Sequence, residues 1–219
     1  RLYLKLPNIE RLQFLAGQYV DILLADSRRR SFSLANPPHA DECLELHVRQ
    51  VPGGFFTDFV FNRMKDKALL RFQGPLGTFF LREDSPRPML LIGGGTGFAP
   101  LKGILEHAFH VGLDRPLHLY WGARAKVDLY LDALPRRWAE EHPQFRYTPV
   151  LSEPQPDDHW TDRSGWVHEA VAHDYPDLSG YDVYMSGPPL MIAAAKPVFA
   201  AQGLPVEQLF YDSFEFASR

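Results

Sequence analysis

The chain has 219 residues, 45% hydrophobic and 23% charged, with a formal net charge of −4. That is room for one large or two small domains; the acidic balance argues against a nucleic-acid partner, and no apolar run nears the ~20 residues that span a bilayer. One cysteine, Cys43, excludes an internal disulfide, a four-cysteine zinc site and a complete iron–sulfur cluster within these residues, and suits a reducing, cytoplasmic setting.

Short strand-like pieces come first, at 2–6, 19–24, 31–34, 44–51 and 69–72, punctuated by Pro37-Pro38, Gly53-Gly54 and the glycines at 74 and 77. Short strands at such spacing predict an antiparallel β-barrel, interrupted by one helix at 57–64. A polar, proline-bearing stretch at 82–88 reads as a linker. The rhythm then alternates. A strand at 89–92 precedes a helix with Leu101, Ile104, Leu105, Ala108 and Phe109 on one face and Gly112 as its stop. Strands follow at 117–121, 146–151, 182–185 and 208–211, and helices at 131–141, 167–172 and 190–201. This alternation predicts a doubly wound parallel sheet covered by helices. The expected division is a barrel at 1–85 and an α/β domain at 86–219.

The segment "LLIGGGTGFAP" (90–100) ends a strand in Gly93, Gly94, Gly95 and Gly97 just before a helix. Glycine permits a tight turn and close approach of a ligand, and the free N–H groups of a first helical turn favour an anion such as a pyrophosphate. Pro100 suits that first turn. The segment is neither the G-x-G-x-x-G fingerprint nor a P-loop. The next strand runs into Trp121-Gly122-Ala123-Arg124, without an acid for a ribose. Alone, the loop reads either as a phosphate cradle or as a plain tight turn.

The first domain adds Arg30-Ser31-Phe32-Ser33 in "RRSFSLANPP" (29–38) and Gly54-Phe55-Phe56-Thr57 in "VPGGFFTDFV" (51–60). With "AGQYVDI" (16–22), "GPLGTF" (74–79), "GGGTGFAP" (93–100), "YWGARAKVDLYL" (120–131) and "SGPPLM" (186–191), these segments follow a family's order. The sequence resembles the ferredoxin–NADP reductase superfamily across essentially its whole length. It is most similar to bacterial NAD(P)H–flavin reductases and to the reductase components of oxygenase and deoxysugar systems.

The resemblance implies FAD on the barrel and a nicotinamide dinucleotide on the second domain. Arg30, with Ser31 beside it, is expected at the flavin diphosphate, and Phe32, where many relatives have Tyr, against the isoalloxazine. Ser33 is expected at flavin N5. His47, Val48 and Arg49 are expected to touch the flavin or its adenosine, and Gly54, Phe55, Phe56 and Thr57 to form a second phosphate cradle. Gly94, Gly95, Thr96, Gly97 and Pro100 are expected to hold the dinucleotide. Ser186, Gly187, Pro188, Pro189 and Met191 are expected near the nicotinamide, with Ser186 where many relatives carry Cys. Asp212, Phe214 and Phe216 are expected by the flavin's exposed face. Ser33, Ser186 and Asp212 are the catalytic candidates. Arg124 suits a 2′-phosphate, but Glu153 repels one and suits a ribose, so NADH is expected over NADPH. His107 and His110 read as a surface pair, Met64, Met89, Met185 and, by composition alone, Met191 as core fillers, and no metal site is expected.

The implied activity is an oxidoreductase passing electrons from NAD(P)H through FAD to an iron–sulfur acceptor. That acceptor is a partner protein or an upstream [2Fe–2S] domain, the latter expected because Arg1 falls inside an early strand. Two alternatives stand beside it: a reductase using free flavin as substrate, and a non-catalytic flavin- and nucleotide-binding subunit of a partner enzyme.

Overall fold

The structure, a computed structural model, describes residues 1–7, 11–25 and 27–214. Its first part is built from β1 (Leu2–Leu4), β2 (Tyr19–Leu23), β3 (Arg29–Ser33), β4 (Leu44–Leu46) and β5 (Arg71–Leu76). β3, β2 and β5 form one antiparallel sheet and β1 and β4 another, joined by a bridge between Leu34 and Leu46. Alternation along β2 sets the faces. Val20 and Ile22 are fully buried against Phe14, Leu34, Leu44, Leu46 and Phe56, while Tyr19 and Asp21 point the other way.

Three expectations shift here. The strand expected over 44–51 stops at Leu46, where His47 leaves the ladder to bond inward. The helix expected at 57–64 starts earlier, as α1 (Phe55–Asp58), and widens into a π turn (Phe59–Arg63). The strand expected at 69–72 lies at Arg71–Leu76, because β2 offers Leu23, Ile22 and Asp21 as partners to Arg71, Phe72 and Gln73.

The second part runs β6 (Met89–Gly94), α2 (Phe98–His110), β7 (Leu117–Ala123), α3 (Ala133–Glu141), β8 (Phe145–Leu151), β9 (Arg163–Ser164), α4 (Val167–Asp174), β10 (Asp182–Gly187), α5 (Pro189–Ala201) and β11 (Leu209–Ser213). The six strands form one parallel sheet in the order β11-β10-β6-β7-β8-β9. β6 and β10 are buried along their whole length, as expected of strands covered on both faces. One face packs Leu91, Phe98, Leu101, Leu105 and Trp121, and the other packs Leu90, Ile92, Val171, Met185 and Phe199. The order reverses between β6 and β10, and such a switch point opens a crevice at the carboxyl edge.

The two parts are packed together. Phe79 and Leu81 join the second part's core. A Cβ on Gly103 of α2 would lie 3.1 Å from the carbonyl oxygens of Leu34 and Asn36, so helix backbone meets barrel backbone there. Lys102 beside it is buried, and its ammonium donates to Glu45 Oε2 at 2.9 Å, Glu106 Oε2 at 2.9 Å and the Ala35 carbonyl at 3.2 Å. Burial pushes the Glu45 carboxyl up, but hydrogen bonds from His47 and Lys102 outweigh it and hold the group at about 2.

Candidate active site at the carboxyl edge of the parallel sheet

A 3₁₀ turn (Gly95–Gly97) joins β6 to α2 at the switch point. The glycines serve backbone contact as much as ligand approach. A Cβ on Gly97 would lie 2.0 Å from the Ser186 carbonyl oxygen, and one on Gly187 would lie 2.9 Å from that of Gly94. Met191 and Pro188 crowd Gly94 from the same side. Gly95 differs: its φ is +54°, which favours glycine, and open space lies beyond it. Thr96 is half-buried beside it, and Pro100 is buried in the first turn of α2. Pro188 caps α5 and Pro189 opens it, so the "SGPP" turn feeds straight into a helix.

Three strand ends bring the expected catalytic trio to this edge. Ser186 on β10 pairs with Gly93 on β6 and Asp212 on β11. From the barrel, Ser33 Oγ donates to Asp212 Oδ2 at 3.2 Å, across 179 positions of sequence. Burial pushes the Asp212 carboxyl up, partly offset by Ser33. Ser186 Oγ is fully buried and has no hydrogen-bond partner among the described residues. The Phe214 N–H donates to the Gly187 carbonyl at 3.0 Å, closing the chain over the same turn. Phe216 lies outside the described residues.

Tyr19 was not among the expected site residues. It pairs with Ser33 in register, and burial raises its hydroxyl pKa, helped by the charges of Asp21 and Asp212. The alternation of "YVDIL" carried the signal, since it places Tyr19 and Ser33 on the face away from the barrel core.

The remaining expected flavin residues divide. Arg30 and Phe32 lie on the opposite face of β3 from Ser33. The Phe32 ring packs 5.3 Å from Phe56, and Arg30 Nη1 donates to the Arg29 carbonyl at 2.7 Å. Ser31 Oγ donates to Asp21 Oδ1 at 2.6 Å. Phe55 is exposed between the guanidinium groups of Arg28 and Arg63, at 5.4 and 5.8 Å. Thr57 Oγ1 donates toward the Gly54 and Val51 carbonyls, at 3.1 and 3.2 Å, and closes that turn. Val48 packs on the barrel core and Arg49 is exposed. His47 is turned inward: Nδ1 lies 2.7 Å from the Tyr130 hydroxyl and Nε2 3.1 Å from Glu45 Oε1. Burial lowers its pKa, and both ring nitrogens are engaged by protein.

Beyond the ends of β7 and β8, Arg124 and Glu153 pair through two hydrogen bonds, Nε–Oε1 at 3.1 Å and Nη2–Oε2 at 3.0 Å. His107 and His110 are not an isolated pair. His110 stacks on His39 with centroids 3.6 Å apart, and His107 Nε2 meets Glu83 Oε1 at 3.0 Å.

Residues 1–81 match the oxidoreductase FAD-binding domain, and residues 91–197 match the oxidoreductase NAD-binding domain. The chain belongs to the ferredoxin reductase-type FAD- and NAD-binding oxidoreductases. It is 44% identical to the CDP-6-deoxy-L-threo-D-glycero-4-hexulose-3-dehydrase reductase of Yersinia pestis, over 97% of this chain and 63% of that protein. It is 41% identical to the reductase subunit of an aromatic O-demethylase from Amycolatopsis, over 95% and 63%. A solved ferredoxin reductase in carbazole 1,9a-dioxygenase superposes with a TM-score of 0.82 at 28% identity, covering 94% of this chain and 62% of that one. The chain thus spans just under two thirds of these relatives' lengths. No helix among the described residues is long and apolar enough to cross a membrane.

Proposed function

We propose that this chain is the flavin- and nucleotide-binding part of an NADH-dependent reductase that passes electrons to an iron–sulfur acceptor. FAD sits on the barrel half, the nicotinamide dinucleotide on the α/β half, and the division falls near residue 85. One observation carries the reading: Ser33 and Asp212, from different halves, bond at the switch point beside the buried, unpartnered hydroxyl of Ser186. That orphaned hydroxyl and the open face of Gly95 fit a polar ring and a diphosphate. When bound, FAD accepts a hydride equivalent from the nicotinamide and releases the electrons onward.

The chain's own residues orient and protonate. The loop Gly94, Gly95, Thr96 and Gly97, with Pro100, presents backbone N–H groups to the diphosphate. Ser186, with Gly187, Pro188, Pro189 and Met191, bounds the nicotinamide pocket. Burial favours the neutral form of Asp212. In that form its carboxyl donates to Ser33 Oγ, freeing the hydroxyl proton for the flavin edge. Phe214 covers the site from the C-terminal side. Arg30, Ser31, Phe55 and Thr57 line the flavin's diphosphate half. Two observations, a Phe32 ring packed on Phe56 and a His47 bonded to Tyr130 and Glu45, support core roles for those two side chains.

The deciding experiment is the visible spectrum of the desalted protein, followed anaerobically after NADH or NADPH is added to separate samples. A flavin spectrum bleached rapidly by NADH is expected. A colourless protein that oxidises NADH only with added flavin would make flavin the substrate. A coloured protein that NADH leaves unbleached, with no turnover of artificial acceptors, would make the chain a binding subunit.

A further inference from the structure

Trp121 sits on β7, the strand beside β6, and is wholly buried. Its ring stacks on Phe98 with centroids 4.1 Å apart and meets Tyr130 edge-on at 5.2 Å. Its Nε1–H does not end in this aromatic cluster. It donates to the Gly95 carbonyl at 2.9 Å. The Phe98 N–H bonds to the same carbonyl from the other side of the 3₁₀ turn.

The two polar groups of a trans peptide point in opposite directions. The Gly95 carbonyl is drawn onto the indole, so the N–H of Thr96, across the same peptide, faces away from Trp121. As the second residue of the turn, Thr96 has no partner for that N–H within the turn. Glycine at 95, with φ +54° and nothing near its α-carbon face, leaves this peptide free to rotate unless something holds its carbonyl.

We infer that Trp121 is a positioning residue for nucleotide binding: its indole N–H holds the Gly95 carbonyl so that the Thr96 N–H is aimed at the dinucleotide's diphosphate. The inference rests on the nucleotide site proposed above. Trp121 acts through the loop, without touching the reacting atoms. Its loss therefore weakens nucleotide binding and leaves the transfer step intact once the site is filled.

The test is Trp121→Phe in the FAD-loaded chain, a change that keeps an aromatic ring on Phe98 and removes the donor. Rapid reduction by NADH gives the Kd and limiting rate, ferricyanide turnover gives KM and kcat, and ADP-ribose inhibition probes the diphosphate without the nicotinamide. The NADH Kd and the ADP-ribose inhibition constant are expected to rise together by roughly five- to twenty-fold, the weight of one charge-assisted hydrogen bond. The limiting rate and FAD content should stay within about twofold of the native chain. An unchanged Kd overturns the inference, and so does a fallen limiting rate at unchanged Kd. If NADH fails to reduce the native chain, the nucleotide site itself is wrong. Should W121F not fold, the native chain carries the test by NMR. One indole resonance, other than that of Trp160 as identified with Trp160→Phe, should resist exchange and shift with ADP-ribose. No such resonance overturns the inference.

Discussion

Arg124 grips both carboxylate oxygens of Glu153, at 3.1 and 3.0 Å, where the strands β7 and β8 deliver them to the carboxyl edge of the sheet. Both side chains are largely exposed, so the pair adds little stability. Its consequence is electrostatic: the guanidinium expected to meet a 2′-phosphate already has an anion. Glu153→Gln is expected to raise kcat/KM for NADPH relative to NADH by about tenfold, without altering thermal stability. Steady-state kinetics with both nucleotides check this. Adding Arg124→Ala to that variant should cancel the gain.

Asp212 is held in tension between function and stability. Its folded pKa is raised by burial, so the folded state binds this proton more tightly than the unfolded chain does. The associated stability is full at low pH and is lost as pH rises through the raised value. Asp212→Asn removes that loss and should raise Tm at neutral pH by ~2–4 °C, for about 1 kcal/mol. The same change should slow the limiting rate of FAD reduction by roughly tenfold or more, because the carboxyl no longer exchanges a proton with Ser33. In the native chain that rate should fall as pH rises through the Asp212 pKa, and in the variant this limb should be absent. Stopped-flow reduction across pH, with calorimetry beside it, reads both effects.

Lys102 ties the halves together through buried charge. Its ammonium is shared by Glu45 from the barrel and Glu106 from its own helix. Removing one partner of such a group leaves an uncompensated buried charge, at a cost of about 3–5 kcal/mol. Urea denaturation of Lys102→Met should show a loss of that size. Glu45→Gln added to Lys102→Met should recover part of it, since Glu45 then no longer needs a cation. An additive pair of losses would show that the two groups do not act together.

The architecture was legible because hydrophobic period and glycine placement are local signals. Leu101, Ile104, Leu105 and Ala108 fixed the buried face of α2, and the run into Gly93 marked the switch point. What the sequence could not show are relationships made by tertiary packing. His47 sits in a strand-like segment, yet Tyr130, 83 positions away, draws its ring inward. Gly97 reads as a ligand-facing glycine, but the Ser186 carbonyl occupies the space of its missing Cβ. Ser33 and Asp212 were each named from resemblance, while their contact depends on how barrel and sheet dock. Tyr19 was missed because a lone aromatic in a strand reads as core until its register with Ser33 is known.

Acid should unfold the chain in two steps of defined origin. His118 is half-buried on β7, with Nδ1 2.7 Å from the Tyr175 hydroxyl and Nε2 2.9 Å from Thr148 Oγ1. Burial, with the nearby Arg146 charge, lowers its pKa to about 4 from 6.5. The unfolded chain therefore takes up the proton first, and stability falls as pH drops from 6.5 to about 4, by up to ~3 kcal/mol. Glu45, held at about 2 against an ordinary 4.5, extends the loss below that window. As pH falls through its raised pKa toward the ordinary 3.8, Asp212 opposes the trend, since the folded state takes up this proton before the unfolded chain does. Urea midpoints measured from pH 7 to pH 4 should decline steadily in the native chain. In His118→Gln, which keeps a neutral hydrogen-bonding group beside Tyr175, the decline should be clearly shallower over that range, the remainder coming from groups such as His47, whose pKa burial also lowers. A decline of equal slope in the variant would assign the acid sensitivity to other groups.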